Sequence, residues 1–225
     1  MLAAGDTKLP QASEALETLC RAYWYPLYAY IRRKGHSPVD AQDLTQEFFA
    51  RLLSRNYLNV ADRNRGKFRS FLLGSLEHFL AREWTKAHAQ KRGSGRSAVS
   101  FDAMTGEGRY LLEPVDDVTA EKIFERRWAT TVLDQAMSHL RQECIENGKE
   151  NLFRQLEGLL SGEKGEVPYA EVAESLKMSE GAIKVVVHRL RQRYGELVRA
   201  EIAQTVVNPE QAAEELQYLF AVLRS

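Results

Sequence analysis

Residues 169–195 read YAEVAESLKMSEGAIKVVVHRLRQRYG. Within this stretch Val172, Leu176, Met178, Ile183 and Val186 fall where two crossed helices share a core, and small Ala173 falls at the crossing. Ser179 supplies a side-chain oxygen to cap the second helix. Ile183, Val187 and Leu190 then keep one face of that helix inward at i, i+4, i+7 spacing. The other face carries Lys184, His188 and Arg191, with Arg189 and Arg193 on its flanks. A short helix, a tight turn and a longer basic helix make a helix-turn-helix, whose second helix suits the major groove of DNA. The competing reading is an amphipathic helix whose cations are simply solvated, because short patterns of this kind also arise by chance.

Charge along the chain separates the two readings better than its total does. The 225 residues carry a formal net charge of zero, with 44% hydrophobic and 28% charged residues, the composition of an ordinary globular protein. Residues 66–96 nevertheless carry a surplus of +5, from Lys67, Arg69, Arg82, Lys86, Lys91, Arg92 and Arg96 against Glu77 and Glu83. Residues 179–199 carry +3, and residues 101–121 between the two blocks carry −5. Two basic segments flank an acidic tether, a distribution that points to a polyanion despite the neutral total.

The periodicity is helical throughout and no strand pair stands out, so the expected fold class is all-α, with two small helical domains joined by a flexible acidic linker. The expected divisions are a first domain over 12–92, a linker over 93–120, a second domain over 121–200, and a helical extension over 201–225. Leu16, Leu19, Cys20 and Tyr23 mark a first helix that Pro26 should break or kink. Ser37 and Pro38 form an N-cap and first-turn signature for a helix that buries Ala41, Leu44, Phe48 and Leu52. Its other side gathers Asp43, Gln46 and Glu47, with Arg51 at the end. A long helix follows with Phe68, Leu72, Leu76, Phe79 and Leu80 inward. His78, Arg82, Trp84 and Lys86 interleave cations with aromatics on its other faces, as surfaces for unstacked bases do. In the second domain Phe124, Trp128, Thr131, Leu133 and Leu140 are the candidate core of its first helix. The final helix, opened by Asn208 and Pro209, is expected to pack on its own domain through Ala212, Leu216, Leu219, Phe220 and Leu223, with a partner surface as the alternative use of that stripe.

Other chemistries find little in the chain. Cys20 and Cys144 have no CxxC spacing and no clustered histidines, so they are expected to be reduced packing residues rather than a metal site. Glu77 and His78 lack an HExxH frame, and Gly93–Gly95 lack the Lys-Ser/Thr of a phosphate-binding loop. Neither an enzyme nor a cofactor or metal is expected. No apolar run reaches the roughly 20 residues of a membrane span, and the N-terminus lacks a signal-peptide core, so a cytoplasmic location away from membranes is expected.

The order of these pieces resembles the extracytoplasmic-function (ECF) sigma factors of bacterial RNA polymerase, over most of residues 12–200. Two segments carry the likeness. Asp43-Leu44-Thr45-Gln46-Glu47-Phe48 is similar to the family's DLxQExF helix, and Ser179–Lys184 with His188-Arg189-Leu190-Arg191 is similar to its SxGTVK…HRxR helix. The resemblance implies transcription initiation with core RNA polymerase and promoter DNA as partners, and leaves room for an anti-sigma protein or another regulator. It assigns polymerase binding to Asp43, Gln46, Glu47, Phe48 and Arg51. Phe71, His78, Arg82, Trp84, Lys86, Lys91 and Arg92 would hold the melted promoter element. Ser179, Lys184, His188, Arg189, Arg191 and Arg193 would serve the distal promoter element. The chain departs from the family at Phe71, where tryptophan is frequent, at His78, where asparagine is, and at Val186, where arginine is. Lys177 stands at a turn position often held by glycine, where a left-handed backbone costs on the order of 1 kcal/mol. A freestanding helix-turn-helix regulator is the alternative, and it would leave the acidic face at Asp43 without a purpose.

Overall fold

The computed structural model describes residues 10–54, 68–89, 110, 118–161, 169–206 and 209–224, and every regular element among them is helical. The helices are α1 (Pro10–Arg33), α2 (Pro38–Ser54), α3 (Phe68–Ala89), α4 (Ala120–Glu146), α5 (Glu150–Ser161), α6 (Tyr169–Leu176), α7 (Glu180–Thr205) and α8 (Pro209–Arg224). None of the described helices is long and apolar enough to cross a membrane. By their contacts the residues fall into two compact units, one of Met1–Thr131 with Ala203–Ser225 and one of Val132–Ile202. This division falls elsewhere than the shift in composition at 93–120, most of which lies outside the described residues. The start of α4 and the whole of α8 group with the N-terminal helices.

The first unit is organised around α1. Ala22, Tyr23, Tyr25, Leu27, Tyr28, Ala29, Tyr30 and Ile31 are all buried, so over residues 22–31 the helix is covered on every side. Pro26 lies inside it and does not end it. A proline within a helix removes a hydrogen bond and costs about 3 kcal/mol or more, but burial on all faces offsets that loss. Tyr23 meets Phe68 edge-on at 5.6 Å and stacks with Phe124 at 6.5 Å, which ties the starts of α3 and α4 to α1. α2 opens as the sequence predicts: Ser37 Oγ accepts from the Asp40 N–H at 3.1 Å. Its inward face holds Ala41, Thr45, Phe48, Phe49 and Leu52, with Thr45 donating to the Ala41 carbonyl at 2.6 Å. Leu44, expected inside, is only half-buried.

The first turn of α3 contains a buried arginine. Arg69 is only 7% exposed and its Nε lies 3.0 Å from Glu215 of α8, which is 4% exposed. Its guanidinium sits 3.6 Å from the centre of the Tyr218 ring and 5.0 Å from that of Trp128. α8 therefore turns Glu215, Leu219 and Val222 inward, while Phe220 and Leu223, expected inside, are 48% and 43% exposed. The apolar stripe alone misplaces this helix, because its register is set by a carboxylate seeking a buried cation.

The second unit is closed by two left-handed residues. At the end of α4, Gly148 has φ 67, and the Lys149 and Gly148 N–H groups donate to the Cys144 and Ile145 carbonyls at 2.8 and 2.9 Å. At the end of α6, Lys177 has φ 52, and the Met178 and Lys177 N–H groups donate to the Ala173 and Glu174 carbonyls at 2.9 and 3.1 Å. Both are Schellman closures, which satisfy carbonyls that a helix end would otherwise leave unpaired. The second one uses a lysine where the geometry favours glycine. Ser179 then accepts from the Ala182 N–H at 3.2 Å and starts α7. Val172, Ala173, Ile183 and Val187 are buried together with Leu156 and Leu159 of α5 in the core of the unit.

Two stability changes are expected. Glu215→Ala leaves Arg69 buried without its carboxylate and should destabilise the protein by about 3–5 kcal/mol. The double change Arg69→Met with Glu215→Leu should recover most of that loss, as read by chemical denaturation. Lys177→Gly relieves a left-handed lysine and should raise the denaturation midpoint by an amount equivalent to about 1 kcal/mol; an unchanged midpoint would show that the turn carries no strain.

Candidate functional site

α2, α3 and the end of α1 form a groove of about 620 Å³ lined by Asp40, Asp43, Glu47, Glu77, Glu83 and Trp84, with Tyr30, Lys34 and His36 at its α1 side. The lining brings together five carboxylates, with Lys34 as its lysine. Asp43 and Glu47 are exposed and Gln46 is half-buried, so the acidic face expected of α2 does reach the surface. Asp40, Glu77 and Glu83, which the α2 pattern does not reveal, extend it. Trp84 is 64% exposed at the groove and offers an apolar contact beside the acids. The wall is firm. Tyr30, fully buried, donates to Glu77 at 2.7 Å, and burial, followed by the hydrogen bond and charge of Glu77, pushes its hydroxyl pKa far upward, so the donor keeps its proton. Lys34 lies 3.0 Å from Glu121 on α4.

Two of the residues assigned to polymerase binding have internal partners instead. Phe48 is 4% exposed, 5.7 Å from the Phe79 ring, and can only support the face from behind. Arg51 pairs with Glu47, lies 2.8 Å from Glu83 and stands 4.8 Å over the Phe79 ring. It is a brace between α2 and α3. Burial works against the Glu83 charge, but hydrogen bonds from Lys86 and Arg51 outweigh it and hold this carboxyl below the usual range.

A smaller cavity of about 260 Å³ is lined by Phe48, Leu52 and Phe79 as its apolar part and by Arg51, Ser75, His78 and Arg82 as its polar part. His78 and Arg82, predicted from the sequence to share a basic aromatic surface, thus line one cavity. Lys86 is exposed but bonded to Glu83 at 2.9 Å, and Phe71 is half-buried against Phe68 at 6.1 Å. Arg69 does not belong to the basic surface, because it is buried against Glu215. Lys91 and Arg92 lie outside the described residues.

On α7 the cations divide into two groups. Lys184, His188, Arg189, Arg191 and Arg193 are all exposed and differ in their partners; Lys184 lies 3.7 Å from Glu180 and 5.8 Å from the Tyr169 ring. Arg191 instead donates to the Leu159 carbonyl at 2.6 Å, in the last turn of α5, where a helix leaves its carbonyls open. Arg193 makes two parallel bonds to Glu143 at 2.7 and 2.9 Å and a third to Glu196 at 2.7 Å. Arg193 in turn holds the Glu143 carboxyl below its ordinary range. Arg191 and Arg193 therefore fasten α7 to its neighbours, and Ser179 acts through the cap described above. The signal for Glu143 lies 50 residues away in sequence and cannot be read from the motif.

Cys144 is buried and Cys20 half-buried, both as thiols rather than in a disulfide, and burial pushes the Cys144 thiol pKa up. Among the described residues no three His, Cys, Asp or Glu side chains are grouped to hold a metal ion. Comparison with known proteins adds no relative to this geometry: no family model matches the chain, and neither a curated protein nor a solved structure matches it.

Proposed function

We propose that this chain is a promoter-specificity subunit of bacterial RNA polymerase, of the kind the ECF sigma factors represent. The observation that carries the reading is the five-carboxylate groove between α2 and α3 beside exposed Trp84. A cleft in which carboxylates outnumber cations, here five against Lys34 and His36, attracts a basic partner, and an apolar side chain at its edge gives that partner something to bury. A basic helix of core polymerase is the proposed occupant, with Asp43 and Glu47 as its acceptors through charge-assisted hydrogen bonds. A freestanding DNA-binding regulator gives this groove nothing to do.

In this reading α6, the turn at 177–179 and α7 form a helix-turn-helix, and α7 lies in the major groove of the distal promoter element. Lys184 and Arg189 neutralise phosphates, which sets affinity and orientation rather than sequence. The cavity at His78 and Arg82 serves the melted element, where an apolar floor and cationic rim suit an unstacked strand. The protein contributes position and strand separation, while the polymerase supplies the chemistry. Such a subunit works in the cytoplasm, where the polymerase is.

Supplied to core polymerase with a genomic library, the chain should direct initiation at a distinct set of start sites. Changing Asp43 and Glu47 together to Lys should abolish co-purification with core polymerase while the circular dichroism spectrum stays helical; retained binding would sink the docking assignment. On α7, Lys184→Ala should weaken promoter binding across sequences and lower the salt slope by about 1, with no change in stability. Arg191→Ala should instead lower stability by about 1 kcal/mol through removal of the bond to Leu159.

A further inference from the structure

The outward face of α7 is not centred where its cations suggest. Ile183 and Val187 are 0% and 1% exposed and mark the inward side. At about 100° per residue, each lies about 160° around the helix from Val185, which therefore points almost directly outward. Val185 is 50% exposed. Gly181, His188, Arg189 and Gln192, all exposed, lie nearest it on the helix surface, and Lys184 stands to one side. The centre of a polar face is apolar.

Three features set this valine apart from an ordinary exposed side chain. Valine is a poorer helix former than the Lys, Arg or Gln around it, and a solvent-facing position gains nothing in packing from it. Its branched side chain is held in one rotamer within a helix, so its methyls are presented rigidly. Helical side chains also lean toward the N-terminus, which carries Val185 over the turn at Gly181. A Cβ on Gly181 would meet nothing of this chain closer than Ser179 Oγ at 4.0 Å, so no internal packing requires the glycine. The result is a small rigid apolar knob beside bare backbone, ringed by cations and amide.

We propose that Val185 reads a thymine in the distal promoter element, by packing its methyls against the thymine C5-methyl in the major groove. This rests on the assignment of α7 to that groove. A T·A pair is the one that presents a methyl there, and the absent side chain at Gly181 lets the base edge approach. Lys184 and Arg189 hold the phosphates on either side. Val185 thereby supplies a contact that depends on a base rather than on the backbone of the DNA.

The test uses holoenzyme assembled from the full chain and core polymerase. Duplexes are selected from a library randomised in the distal element, and each selected thymine is then replaced by deoxyuridine, which removes only the methyl. One replacement should weaken binding about 4-fold, the worth of one buried methyl-sized group. The Val185→Ala holoenzyme should be indifferent to that replacement, and Val185→Thr, which keeps one methyl and the branched shape, should remain partly sensitive. The thymine assignment is overturned if every thymine tolerates the replacement, or if Val185→Ala stays as methyl-sensitive as the natural protein. A holoenzyme that selects no distal element at all overturns the sigma-factor assignment itself, and this one with it.

Discussion

A guanidinium stripped of water needs both a counter-charge and a surface to lie on, and Arg69 finds both only where three helices meet. Glu215 of α8 supplies the charge, and Tyr218 and Trp128, from α8 and α4, supply the rings. Buried ion pairs of this type add little stability over an apolar pair of similar volume, yet they are intolerant of a wrong partner. Their effect is to fix register. Because Arg69 lies in the first turn of α3, the arrangement sets the rotation of α3 and with it the placement of every side chain further along that helix.

α3 then separates two kinds of surface. Glu77, Glu83 and Trp84 border the acidic groove, whereas Ser75, His78, Phe79 and Arg82 line the cavity with a cationic rim. Arg51 and Glu83 stand where the two meet, and their ion pair neutralises charge at the seam. Opposite potentials on one helix would otherwise attract each other across a few residues. Pairing at the seam leaves the remaining carboxylates and cations facing outward, each available to a partner of its own sign preference. The low exposure of Phe48 follows from the same design, since a ring packed on Phe79 keeps α2 and α3 at a fixed spacing.

Local signals are legible where chemistry and sequence proximity coincide. The Ser37 and Ser179 caps, the buried pair Ile183 and Val187, and the acids of α2 all come from residues within one or two turns of each other. What escapes the sequence is pairing across long separations. Arg69 and Arg193 read as members of basic blocks, but Glu215 buries the first with itself and Glu143 pairs the second at the surface. α8 departs from its pattern for the same reason: its hydrophobic stripe points to Leu216, Phe220 and Leu223, and only the distant arginine explains why Glu215 turns inward. Pro26 misleads in the other direction, because its local cost is visible in the sequence while the burial that offsets it is not.

Arg191 and Arg193 stay exposed, but each has a partner within the chain, and under the proposed function that changes what α7 offers a duplex. A helix with five available cations would bind any duplex tightly and select poorly, since phosphate contacts carry no sequence information. With those two arginines paired to the Leu159 carbonyl and to Glu143, the motif's exposed cations without such a tie to another helix are Lys184 and Arg189, with His188 beside them. Non-specific affinity falls with each phosphate that is left unneutralised, so the interactions that depend on base identity make up a larger share of the total. Under the proposed function, the same two bonds that hold α7 in place would tilt it from grip toward discrimination, and an uncharged residue at the centre of the face would complete that shift.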